Sequence, residues 1–168
     1  MQPRINSASK TAGFSLIELV ITLGLVSFLL LMGGSLTSAW MDRSKVDNAA
    51  AMLKSATSFA RSMALRNKEN LSAESAAVAL CIKYSDSAGE ISVQRIAPSR
   101  SPCIATDIND KLKAFELAEG ITIQQNGERL ECIAFNANGM SNTSVCSGRF
   151  DQEITIGKNH ESSIIKLI

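Results

Sequence analysis

The chain is poor in the residues that carry most enzyme chemistry. It has one histidine, one tyrosine and one tryptophan in 168 residues, and only 5% of it is aromatic. The histidine, His160, lies in the polar run Gly157-Lys158-Asn159-His160, where an imidazole is ordinarily solvated. No Gly-x-Ser-x-Gly elbow occurs, and no second histidine exists to activate a serine. A Walker-type glycine loop for a nucleotide is also missing. There is no Cys-x-x-Cys pair for zinc, and Asp42, Asp47, Asp107 and Asp110 lack the spacing of a calcium loop. No catalytic residue, no metal and no cofactor is therefore expected. Proline is scarce as well. Only three are present, none between Phe14 and Asn70, so nothing there interrupts a helix. No internal repeat or low-complexity segment is evident.

Charge is absent from Leu19 to Met41. As a helix that stretch would reach about 35 Å, against a hydrocarbon core of about 30 Å, and the expectation is a membrane-spanning segment over 14–41. Glu18 sits just inside its N-terminal edge, where a carboxylate is costly without a partner and so marks a functional position. The preceding segment, 1–13, is polar and carries Arg4 and Lys10 without an acid. By the positive-inside rule it stays cytoplasmic and sends the C-terminal part across the membrane. An ordinary secretory signal places its apolar region before the cleavage point. Here Gly13 comes first and the apolar run follows, so a cut after Gly13 would leave the anchor on the mature chain.

The stretch Gly13-Phe14-Ser15-Leu16-Ile17-Glu18 resembles the class III leader of type IV pilins and type II secretion pseudopilins. That resemblance implies cleavage after Gly13 by a prepilin peptidase, N-methylation of Phe14, and docking into a helical filament helped by Glu18. It also implies a single-pass inner-membrane protein with a periplasmic C-terminal domain, later moved into a pilus or pseudopilus. Its partners would be other major and minor pilins, met through the N-terminal helix, with the prepilin peptidase and an inner-membrane assembly platform. Gly33 and Gly34 cost the helix roughly 1 kcal/mol each. Small residues allow close helix packing in lipid; the resemblance favours local melting as the subunit leaves the bilayer.

Beyond Met41 the helical pattern continues. Val46, Ala49, Leu53, Ala56, Ala60 and Met63 recur at three- and four-residue spacing, which predicts an amphipathic continuation within 42–70, helical to about Asn67. The remainder, 71–168, reads as a β-rich exported domain. Ala76–Tyr84 and Ile91–Ile96 flank a turn and predict a hairpin, Ala97–Asp110 reads as an irregular loop, and Lys111–Glu119 is not classified. Ile121–Gln124, Leu130–Phe135, Phe150–Ile156 and Ser163–Ile168 are further strands, with Asn126-Gly127 a turn between them. The expected fold class is α+β: one long N-terminal helix, transmembrane in its first half and amphipathic in its second, packed on an antiparallel sheet. This is the pilin-like arrangement. Ile133 to Gly139, with Phe135 and Gly139, is similar to a stretch of the FimT/FimU/GspH group of minor pilins and pseudopilins.

All four cysteines, Cys81, Cys103, Cys132 and Cys146, fall in the domain expected outside, and an even count there predicts two disulfides. Three connectivities are possible; the expected one joins Cys81 to Cys103, an early strand to the proline loop, and Cys132 to Cys146. The second would close about 15 residues, contributing roughly 3 kcal/mol in the chain-entropy model. Of the 17 basic and 16 acidic residues, Arg4 and Lys10 lie in the leader and Glu18 in the apolar run, so the rest balance. A neutral domain offers no general attraction for nucleic acid.

The expected function is therefore that of a minor pilin priming or joining a type IV pilus. One alternative is a GspH-type pseudopilin of a type II secretion system. Another is a DNA-binding minor pilin in transformation. Against the last, the Gly-Arg-x-Arg motif of DNA-binding relatives is replaced by Gly157-Lys158-Asn159-His160-Glu161, and Arg95, Arg100 and Arg149 are scattered. DNA is not expected as a partner.

Overall fold

Three- and four-residue spacing puts Val46, Ala49, Leu53, Ala56, Ala60 and Ala64 on one side of a helix, and all six are buried. They belong to α1 (Leu16–Leu65) in a computed structural model that describes residues 15–68, 70–85, 88–96, 101–104 and 110–167, and every side chain in them except those of 32–36. The Ser15 carbonyl accepts from the Glu18 and Leu19 amides at 3.0 and 3.2 Å and opens the helix. Asn67, at φ 34°, closes it. The Asn67 carboxamide then brackets Leu71, donating to its carbonyl and accepting from its amide, each at 2.8 Å. That bracket turns the chain toward the first strand.

Two four-stranded sheets follow, antiparallel throughout. The first has the order β3 (Lys111–Leu117), β2 (Gly89–Arg95), β1 (Ala76–Lys83), β6 (Cys132–Asn136). The second runs β5 (Glu128–Arg129), β4 (Thr122–Gln125), β7 (Glu153–Lys158), β8 (Glu161–Lys166). Register aligns the apolar rows: Val78 faces Phe135, Leu80 lies between Val93 and Ile133, and Ile82 faces Ile91. In the second sheet Ile123 faces Ile156 and Ile154 faces Ile165. With the helical residues from Val46 on, these form one buried cluster. The other face of the first sheet is buried too, at Ala79, Cys81, Ser92, Gln94 and Ala134, which is why β1 reads as a nearly unbroken apolar run. Asn126 and Gly127, at φ 54° and 82°, make the tight turn between β4 and β5.

By its contacts the chain divides into two units, Met1–Ser38 and Ala39–Ile168. Two expectations are corrected. First, among the described residues no helix is long and apolar enough to cross a membrane. The transmembrane segment over 14–41, and with it the single-pass inner-membrane placement with a periplasmic C-terminal domain, does not stand. Second, the fold is not one long, half-transmembrane helix laid on one sheet. The strands divide between two sheets because the chain interleaves them: after β3 it leaves for the second sheet, returns as β6 beside β1, then leaves again for β7 and β8.

Candidate functional site: an uncovered apolar helix segment and its carboxylate

The first unit presents the least accounted-for surface. From Leu16 to Leu31 the large apolar side chains are exposed, with Leu30 at 74% and Leu31 at 84%. An apolar helix surface of this extent marks an interaction site, since folded monomers rarely leave such patches open. Its polar residues add little to it. The Thr22 hydroxyl donates to the Leu19 carbonyl at 2.9 Å and the Ser27 hydroxyl to the Leu23 carbonyl at 2.8 Å, each spent on its own helix. Nothing lies within 4 Å of a Cβ placed on Gly24, so the surface is open there. What remains is Glu18, an exposed acid in the first turn, where the helix dipole favours negative charge. An exposed aliphatic cylinder with one carboxylate at its head can associate by burying area, and by pairing that carboxylate with a cation.

Other sequence-derived site residues fall elsewhere. Gly13 and Phe14 lie outside the described residues. Gly33 and Gly34 fall within 32–36, whose side chains are not described. Cys81 is bonded to Cys103 and Cys132 to Cys146, with Cα–Cα distances of 5.4 and 5.5 Å. His160 is exposed in the β7–β8 turn. The Arg149 guanidinium donates to both Asp151 carboxylate oxygens, at 3.0 and 2.8 Å, and chiefly by that hydrogen bonding holds the Asp151 carboxyl below the usual range. Among the described residues no three His, Cys, Asp or Glu are grouped to hold a metal.

The Phe135–Gly139 stretch is a packing device. The Phe135 ring stacks on Phe150 at 5.7 Å between centroids, and the Arg61 guanidinium covers Phe150 at 5.2 Å. Gly139, at φ 72°, brings its loop so close to α1 that a Cβ would meet Arg61 and Leu65 side-chain carbons at 3.1 and 3.2 Å. Sequence reasoning missed Gly148, where a Cβ would collide with the Cys132 carbonyl oxygen; no pattern in the neighbouring residues marks it. Tyr84 was missed as well. Its hydroxyl reaches the carbonyls of Ile123 at 2.9 Å and Leu130 at 2.8 Å, tying the end of β1 to the second sheet. Burial pushes this phenol up to about 12 although the Arg129 guanidinium stands 4.1 Å from the ring centre. Compared with family models, with curated proteins and with solved structures, the chain matches none.

Proposed function

We propose that the chain is a building block of a helical filament, a subunit of the minor-pilin type that assembles through its N-terminal helix after cleavage behind Gly13. The observation that carries this reading is the uncovered apolar stretch from Leu16 to Leu31 with Glu18 as its only charge. The resemblance of Gly13-Phe14-Ser15-Leu16-Ile17-Glu18 to a class III leader supports it. Helices of neighbouring subunits would cover the exposed side chains, each Å² removed from water contributing about 25 cal/mol. Cleavage would free an α-amine on Phe14, and the Phe14 amine of an adjacent subunit would neutralise Glu18 while setting the axial register between helices. Removing one partner of a buried pair typically costs about 3–5 kcal/mol, because the other is left uncompensated.

The test is Glu18→Val in the cell that assembles the filament. Processing and disulfides should be unchanged, while the share of the chain recovered in sheared filaments falls sharply. Normal incorporation of the variant would sink the role given to Glu18. A mature N-terminus found by mass spectrometry anywhere but Phe14 would sink the leader assignment.

A further inference from the structure

The last turn of α1 and the strands beside it enclose a cavity of about 300 Å³ with an apolar floor made by Met63, Leu71, Val78 and Leu112. Its remaining lining includes three cations: Arg66 and Lys68, just past the end of the helix, and Arg95, from the end of β2. Other lysines near this end of the first sheet are occupied. Lys111 is paired with Glu90 at 2.7 Å, and the Lys113 ammonium lies over the Phe59 and Phe115 rings at 5.3 and 4.7 Å. Arg66, Lys68 and Arg95 have no acidic partner among the described residues. The C-terminal end of the helix accounts for the first two, since its carbonyls favour cations. It does not account for Arg95, which comes from another element and adds a third positive charge to the same small space. Together the three give the lining of this cavity a positive charge that an anionic group would complement.

We propose that this cavity binds an acidic peptide segment of a partner protein, an aliphatic side chain entering the floor and flanking carboxylates meeting Arg66, Lys68 and Arg95. The guanidinium fork suits carboxylate geometry. The floor removes an aliphatic group from water, which a site for inorganic phosphate has no reason to do. Nucleic acid fits less well: the lining offers no aromatic ring for a base to stack on, and three cations make a short phosphate footprint. The inference concerns the second unit alone and stands independently of the filament reading.

The experiment uses the full chain in mild detergent, titrated against a fluorescein-labelled hexapeptide of alternating Asp and Leu and followed by anisotropy. Saturable binding is expected, weakened about fivefold by Arg95→Gln or Arg66→Gln and about 25-fold by the pair if their effects add. Replacing Leu by Ser in the peptide should weaken binding about tenfold, because the floor then gains nothing. Melting temperatures of the single variants should match the parent. Reversal by Arg66→Glu with Arg95→Glu should move the preference to a Lys–Leu peptide. No saturable binding by the parent overturns the proposal, as does binding indifferent to both arginine changes. An oligo-dT that binds more tightly than the peptide, and loses affinity in the same variants, overturns it in favour of nucleic acid.

Discussion

Two stretches of α1, both rich in apolar residues, meet opposite fates. Between Leu16 and Leu31 the side chains are large, branched and exposed. Between Val46 and Ala64 the buried positions are Val46, Leu53, Thr57 and otherwise alanine, with Leu53, Ala56 and Ala60 each 0% exposed. The difference lies in what each can approach. Alanine lets a helix backbone come close to a sheet, and the strands supply the bulk through Leu80, Ile133, Phe135 and Ile154. The first stretch carries its own bulk on all sides, and no single layer covers such a surface. Hydrophobicity of a helix therefore says that it needs a partner, while the size distribution of its apolar residues says what kind.

The comparison is most sharply tested at Leu53. Leu53→Ala should lower unfolding free energy by about 2–5 kcal/mol, measured by urea denaturation with disulfides intact, since truncation leaves a cavity in a packed layer. A loss under 1 kcal/mol would mean that the second stretch is not covered as described. Gly139→Ala comes next. A methyl there needs a left-handed backbone and presses on Arg61 and Leu65, so a loss of about 1–3 kcal/mol is expected in the same assay. Alanine tolerated at no cost would show that the loop does not seal this side of the helix.

Tyr84 tests whether the cover acts as one body, because its hydroxyl ties the two sheets. Tyr84→Phe should cost about 1 kcal/mol at neutral pH. The pH dependence has a definite sign. Folding raises the phenol from about 10 to about 12, so the folded protein holds the proton that the unfolded chain releases. The contribution is fully present below about pH 10 and is lost as pH rises toward about 12. Alkaline denaturation of the parent should be steeper across that window than that of Tyr84→Phe; identical profiles would remove Tyr84 from the account. The smallest effect belongs to the uncovered stretch. Leu30→Ala should change unfolding free energy by no more than about 0.5 kcal/mol. A loss comparable to that of Leu53→Ala would erase the contrast between the two stretches.

The helical periodicity from Val46 to Met63 was legible because it depends only on spacing along one chain. So was the turn at Asn126-Gly127, where two positive φ values suit those two residues. The main strands were legible as apolar runs, although their ends shifted by a few residues. Lys111–Leu117 was not, because an edge strand exposed along most of its length has no burial pattern to read. Glu128–Arg129 pairs over two residues and leaves no trace in composition.

Strand pairing was settled only by tertiary structure. Cys81 stands directly opposite Cys132 in the β1–β6 ladder, yet each bonds to a cysteine arriving from a loop. The two-sheet division is of the same kind, since it turns on β6 returning to β1 after the chain has entered the other sheet. The need for glycine at 148 turns on a carbonyl of β6, beyond any pattern in the neighbouring residues. Local propensities and spacings act between residues a few positions apart and are written in the chain. Which strand lies beside which, and how closely two backbones approach, depends on contacts between residues far apart in sequence, whose energies exist only once the whole fold has brought them together.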